Sequence, residues 1–174
     1  MLHYKIKELQ FASAPIEERR LTTRLLLQQL LSEHCGIDSL PKMGVRFGGK
    51  PYFPQYPHIH FNLAHCKSAA MAVISDKKVG CDIEDVLTKD CLDLLHVVFR
   101  QEDIDIILAS DNPPLEMTKL WTRKEAVVKH NGNIPDDPAD WPSSINTNIN
   151  IFTEYQQGRP YVYSIACIEA LLSH

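Results

Sequence analysis

The chain has 174 residues, enough for one domain or for two small lobes sharing a core. It is 44% hydrophobic and 23% charged, which predicts a soluble globule, and with no run of about eighteen apolar residues it excludes a membrane-spanning helix. The net charge of −4 is uneven: residues 1–60 carry eight Lys/Arg against five Asp/Glu, and residues 61–174 carry ten against seventeen. A basic first third suits a phosphorylated ligand or an acidic protein partner, or is simply a mixed solvated surface.

In chain order, residues 2–10 alternate Leu2, Tyr4 and Ile6 against His3, Lys5 and Lys7, the period of a strand. Ser13 and Pro15 start a helix that Gly36 ends. Ile16, Leu27, Leu30 and Leu31 form its apolar stripe, and Arg19, Arg20 and Arg24 lie near its beginning. Residues 43–47 form a short strand running into Gly48-Gly49, and the prolines from Pro51 to Pro57 make an ordered loop or irregular edge. Strands follow over 58–63 and from Ala69 to Ile74, and Asp76-Lys77-Lys78 turns the chain into another, Val79 to Glu84. Helices are predicted from about Asp90 to Phe99 and from about Gln101 to Ala109. Asp111-Asn112-Pro113-Pro114 breaks the pattern, and a further helix runs to about Asn131, where Gly132 stops it. Residues 133–144 read as a loop, and strands around 146–153 and 160–168 close the fold. This order implies an α+β fold with mostly antiparallel sheet.

Two stretches carry the chemistry. In Val79-Gly80-Cys81-Asp82-Ile83-Glu84 a strand would put Asp82 and Glu84 on one face and Ile83 on the other. In the helix from Trp121 to Lys129, positions three and four apart share a face, so Trp121, Glu125, Val128 and Lys129 form one stripe with Lys124 on its flank. If strand and helix meet, three carboxylates converge with two lysines beside them. That many hard oxygen ligands suit Mg²⁺, and lysines beside the metal suit a substrate that carries phosphate. Each stretch also has a plainer reading, a solvated strand end for Asp82 and Glu84 and a surface ion pair for Glu125 and Lys129. The coincidence of the two favours the metal site. His58, His60, His65 and Cys66 invite zinc, but no second pair at the usual spacing completes such a site. Five cysteines without a CxxC pair fit reduced thiols in a cytosol, and the first residues show no apolar signal-peptide core.

These blocks resemble the 4′-phosphopantetheinyl transferases of the Sfp type. Gly49-Lys50-Pro51 resembles that family's Gly-Lys/Arg-Pro block, and Phe61-Asn62-Leu63-Ala64-His65-Cys66 its Phe-Asn-(Ile/Leu)-Ser-His-Ser block. Val79 to Glu84 resembles its acidic strand, Phe99-Arg100-Gln101-Glu102 its Phe-x-x-x-Glu lead, and Trp121 to Lys129 with Gly132 its Trp-x-x-Lys-Glu-Ala-x-x-Lys-x-x-Gly block. The resemblance covers about 45–132, half the chain, and the two acidic blocks together are its most specific part. It implies a two-lobed pseudo-twofold fold with a long helix packed on each lobe. The N-terminal lobe would be about 1–78 and the C-terminal lobe about 79–174, in one monomeric chain of the cytoplasm.

The resemblance also implies an activity: Mg²⁺-dependent transfer of 4′-phosphopantetheine from coenzyme A to a serine of an apo acyl or peptidyl carrier protein, releasing adenosine 3′,5′-bisphosphate. Carrier protein and coenzyme A would be the partners, with no nucleic acid and no membrane. Asp82, Glu84 and Glu125 would hold the metal. Glu125 would also deprotonate the serine directly or through a water, Lys129 would act on the leaving phosphate, and Lys124 would hold the pyrophosphate. His65 would bind the 3′-phosphate with help from Arg19, Arg20 or Arg24, and Lys50 and Pro51 would line the nucleotide pocket. Ala64 and Cys66 replace the serines that usually flank the histidine, which predicts weaker coenzyme A binding. Two other readings remain: a Mg²⁺-dependent phosphohydrolase of nucleotide pyrophosphates, and a degenerate homologue that binds carrier proteins or coenzyme A without transfer.

Overall fold

The computed structural model describes residues 1–9, 14–132, 141 and 148–168. The elements are β1 (Leu2–Glu8), α1 (Ile16–Cys35), β2 (Gly44–Val45), β3 (Pro51–Tyr52), β4 (His60–His65), β5 (Ala69–Ser75) and β6 (Val79–Asp85). They continue with a 3-10 segment (Lys89–Leu94), α2 (Leu95–Val98), α3 (Gln101–Ala109), α4 (Pro113–Asn131), β7 (Asn150–Glu154) and β8 (Tyr161–Cys167).

Two three-stranded antiparallel sheets form the centre. The first has the order β1-β5-β4 and the second β6-β8-β7. The central strands β5 and β8 are buried at every position, as strands covered on both faces must be. One face of β5 (Ala70, Ala72, Ile74) packs under Leu26, Leu27, Leu30 and Leu31 of α1. The other (Ala69, Met71, Val73) meets Cys81 and Ile83 of β6 and Tyr163 and Ile165 of β8. On the outer face of the second sheet, Ala126 and Val127 of α4 pack on Ala166. The layers are therefore α1, first sheet, second sheet, α4, an α+β architecture in which each half of the chain supplies a sheet and a long helix.

Several elements follow from local chemistry. Gly36 ends α1 at φ 66° and Gly132 ends α4 at φ 75°, left-handed caps that return an amide to the last turn. The α4 start uses Asn112, whose Oδ1 accepts from the Leu115 amide at 3.3 Å, and prolines in the first turn. The expected break at Asp111–Pro114 is thus the helix entrance, since Pro113 already belongs to α4.

Other boundaries move. The strand expected over 58–63 begins at His60, because Tyr56 and Ile59 each close a turn onto the residue three back (3.1 and 3.0 Å). The helix expected over 90–99 is a 3-10 segment followed by one turn, and Phe99 is extended. Ile16 is 40% exposed and does not belong to the α1 stripe. Pro51–Tyr52, expected as loop or edge, pairs with Gly44–Val45 in a short ribbon. Ser13, the loop 133–144 apart from Trp141, and the beginning of the strand placed at 146 lie outside the described residues.

Candidate active site at the β6–α4 contact

The site exists because α4 runs unusually close over β6. A Cβ on Gly80 would meet the Ala126 carbonyl oxygen and the His130 amide nitrogen well inside contact distance. Only glycine lets helix and strand approach this far. The strand alternation then turns Cys81 and Ile83 into the core between the sheets and leaves Asp82 and Glu84 on the α4 side.

On α4, Lys129 reaches back. Its Nζ donates to Asp82 Oδ1 at 2.6 Å and pairs with Glu125, one turn earlier, at 3.3 Å. Asp82 is buried (2% exposed), and its second oxygen, Oδ2, has no hydrogen-bond partner among the described residues. Burial pushes the Asp82 carboxyl up, and the Lys129 ammonium opposes that push. Burial together with the negative charges of Asp82 and Glu125 raises Glu84 to about 8. Burial likewise raises Glu125, again opposed by Lys129. For Lys129 burial alone would favour the neutral amine, but Asp82 and Glu125 outweigh it and hold the ammonium charged. Asp82 and Glu125 thus share one cation, which also acts on Glu84 through space.

This donor set fits a hard divalent ion. It offers oxygen only, carries a surplus of negative charge, and contains a buried carboxylate oxygen without a partner. Among the described residues no three His, Cys, Asp or Glu side chains are gathered as a finished ligand set; Lys129 stands against two of the three carboxylates instead. The same finding leaves the His58, His60, His65 and Cys66 group without a zinc arrangement.

A second group lies across the seam between the sheets. His65, the last residue of β4, has a buried Nδ1 without a partner, and Arg19 near the start of α1 has a buried Nε in the same condition. Burial lowers the His65 pKa, and Arg19, Arg20 and Lys129 act on it in the same direction. Two fixed arginine charges, an imidazole and the Lys129 ammonium therefore face one region, an arrangement that an anionic group would satisfy. Arg24 lies a further turn along α1, with an exposed side chain. Ala64 and Cys66, beside His65, are both buried; the Cys66 thiol sits 3.7 Å from the Ala69 carbonyl.

Two lysines differ from their sequence reading. Lys124 does not join the carboxylates. Its neighbour Glu125 faces β6, and one residue is about 100° of rotation on a helix. Lys124 therefore points toward α2 and α3, fully buried, where Nζ donates to the Val98 carbonyl at 2.7 Å and lies 5.2 Å from the Phe99 ring centre. It joins the short helices to α4, so one lysine rather than two stands among the carboxylates. Lys50 is drawn inward as well. Its Nζ donates to the carbonyls of Val79 (2.7 Å), Lys129 (2.6 Å) and His130 (3.3 Å), tying the β2–β3 ribbon to the last turn of α4. Lys50 and Pro51 line a small cavity of about 160 Å³ that opens on Asn62 and Lys129.

The sequence reading missed three positioning contacts. Asn62 Oδ1 accepts from the Cys81 amide at 2.8 Å and ties the β4 edge to the β6 edge. Its signal was an amide side chain between Phe61 and Leu63, buried at 6% exposure. Asp85 accepts from the amides of Lys67 (2.9 Å) and Ser68 (3.2 Å), fixing the turn after His65 to the end of the acidic strand. Gly80 was visible only as part of a motif. Trp121 packs edge-on to Phe99 and stacks on Trp141, with centroids 5.3 Å apart in the latter pair.

Residues 78–163 match the model of the 4′-phosphopantetheinyl transferase superfamily. Similar curated proteins include the 4′-phosphopantetheinyl transferase AcpT of Salmonella typhimurium, 34% identical over 129 residues, which cover 70% of this chain and 64% of that protein. AcpT of Escherichia coli K12 is 35% identical over 127 residues (71% of this chain, 62% of the relative). A 4′-phosphopantetheinyl transferase of Bacillus subtilis is 27% identical over 128 residues (70% and 55%). The match thus spans somewhat under two thirds of the length of these relatives.

Proposed function

We propose that this chain, whose residues 78–163 match the 4′-phosphopantetheinyl transferase superfamily, is a member of it and moves the 4′-phosphopantetheine arm of coenzyme A onto a serine hydroxyl of an apo acyl or peptidyl carrier protein. The observation that carries the reading is the pairing of Asp82 and Glu125 with Lys129, with Glu84 in the electrostatic reach of all three and Asp82 Oδ2 buried and unpartnered. What supports an Sfp-type, single-chain enzyme of holo-[acyl-carrier-protein] synthase activity is that strand β6 and helix α4, with His65 across the seam, come from one polypeptide. We place its work in the cytoplasm as a monomer, consistent with five free cysteines.

Asp82, Glu84 and Glu125 would hold Mg²⁺, which when bound would draw charge from the pyrophosphate oxygens. His65, Arg19 and Arg20 would bind the 3′-phosphate of coenzyme A; the anion would give the orphaned Nδ1 of His65 and Nε of Arg19 their missing partner. The small cavity beside Lys50 and Pro51 would take the nucleotide side of the donor. In the transfer, the serine oxygen bonds to the phosphorus that bears pantetheine. The bond from that phosphorus to the bridging oxygen breaks, and adenosine 3′,5′-bisphosphate leaves with the electron pair. The serine proton passes to Glu125, directly or through a water, and Lys129, held charged by its neighbours, stands by to offset the leaving phosphate. Lys124, bound to Val98, acts through the placement of Glu125 in this scheme rather than on the pyrophosphate.

The test is chromatographic: release of adenosine 3′,5′-bisphosphate from coenzyme A with Mg²⁺, with and without an apo carrier protein. Release only with the carrier is expected. Release without it would mean hydrolysis, and coenzyme A binding without release would mean a degenerate homologue.

A further inference from the structure

A second cavity lies on the other side of the Lys50 tether. Its volume is about 150 Å³. It shares the wall of Lys50, Pro51 and Gly132 with the small cavity at Asn62, yet none of Asp82, Glu84, Glu125, Lys129 or His65 lines it. One part of its wall is apolar, from Pro51, Tyr52 and Pro57 backed by the buried Phe53, Phe61 and Ile59; the other carries Arg46, Lys78, His60 and His130. Among the described residues, none that lines it is acidic.

The cations there are not spent. Arg46 rests over the Tyr52 ring at 4.9 Å, and neither its guanidinium nor the Lys78 ammonium has a carboxylate or hydrogen-bond partner among the described residues. His130 is 5% exposed; Nδ1 meets Asn131 Oδ1 at 3.1 Å, and Nε2 is buried with no partner. The charges act on one another. After burial itself, Lys50, Arg46 and Lys78 lower the His60 pKa, and Lys50 and Lys78 lower that of His130. The acid that acts on His60, Asp76, is already paired with the chain's N-terminal ammonium at 2.6 Å. Like charges gathered around a concave apolar wall cost free energy unless an anion sits among them.

We propose that this cavity binds a small phosphate ester of a flat ring, at a site separate from that of the transfer reaction. The volume is that of cavities known to admit one benzene-sized ring, and Pro51, Tyr52 and Pro57 supply its packing surface. Arg46 and Lys78 supply two fixed charges for a dianion, the guanidinium as a fork and the ammonium as a point charge. His60 supplies a further donor to the phosphate oxygens, and His130, whose Nδ1 donates to Asn131 Oδ1, donates from Nε2 as the imidazolium that a bound dianion favours. Because Lys50 and Gly132 form the shared wall, occupancy would bear on the end of α4 that carries Lys129.

The test is calorimetric titration of the full chain with phenyl phosphate, without coenzyme A or added metal. Saturable one-site binding is expected, with inorganic phosphate at least tenfold weaker for want of the ring. Arg46→Ala and Lys78→Ala should each weaken phenyl phosphate at least tenfold, Lys77→Ala should leave it unchanged, and circular dichroism should show all three folded. The imidazole ¹⁵N signal of His130 should shift on titration. Saturating adenosine 3′,5′-bisphosphate should leave phenyl phosphate binding in place. No binding, equal affinity in the Arg46→Ala and Lys78→Ala variants, inorganic phosphate as tight as the ester, or full displacement by adenosine 3′,5′-bisphosphate would each overturn the proposal.

Discussion

Gly80→Ala adds one methyl group at the point where β6 touches α4. The new Cβ would fall on backbone atoms, the Ala126 oxygen and the His130 nitrogen, which have no rotamer through which to yield. Restoring ordinary contact would need a displacement of roughly 1 Å between strand and helix. Overpacking of this kind costs about 1–3 kcal/mol, a sizeable part of the ~5–15 kcal/mol that holds a domain together. The displacement also parts Asp82 and Glu84 on the strand from Glu125 and Lys129 on the helix, and a misplacement of that size slows a reaction by about 10²-fold. Urea unfolding would read the first effect and the rate of carrier modification the second. Cys81→Ala, one residue on but facing the core between the sheets, should lower stability while sparing the rate. A Gly80→Ala protein with unchanged unfolding midpoint and unchanged rate would refute the close approach and the site built on it.

Glu125→Gln and Asp82→Asn should each abolish transfer while the fold persists; near-normal turnover by intact-mass assay in either would remove the metal-site argument. Lys50→Met should destabilise by a few kcal/mol, because it strips a donor from three carbonyls at about 1–3 kcal/mol per unpaired buried group. Burial lowers Lys50 from 10.5 to about 8, so between those values the unfolded chain holds a proton that the folded chain has released. Stability should therefore rise with pH across that window and lose this rise in Lys50→Met, as denaturant titrations at several pH values would show. Burial raises the thiols of Cys66 and Cys81 to about 12, so iodoacetamide should spare both in the native protein at pH 8 and label them after unfolding. Native labelling of Cys81 at the rate of an exposed thiol would contradict its place between the sheets.

The acidic strand and the helix could be read from the sequence because each rests on a short-range rule. Alternation sends Asp82 and Glu84 one way and Ile83 the other, and the i,i+4 spacing sets Glu125 above Lys129. What could not be read was which way a flanking residue turns when its partner is remote. Lys124 is adjacent to Glu125, yet the free carbonyl of Val98, 26 residues earlier, captures it. Lys50 sits in a nucleotide-like motif, yet the unsatisfied carbonyls at the end of α4 draw its ammonium inward. Strand starts slipped for a related reason: the turns at Tyr56 and Ile59 consume residues that would otherwise begin β4, and side-chain alternation is blind to them. The Asn62 bridge to Cys81 joins two sheets, so no local pattern announces it.

The most direct measurement is the intact mass of an apo carrier protein after incubation with this chain, coenzyme A and Mg²⁺, with fatty-acid and peptide-synthetase carriers tried in parallel and EDTA as control. A phosphopantetheine adduct that disappears with EDTA and with Asp82→Asn is the expected result. An adduct that forms equally well with EDTA, or none on either carrier although coenzyme A binds, would contradict a metal-dependent transfer at the β6–α4 site.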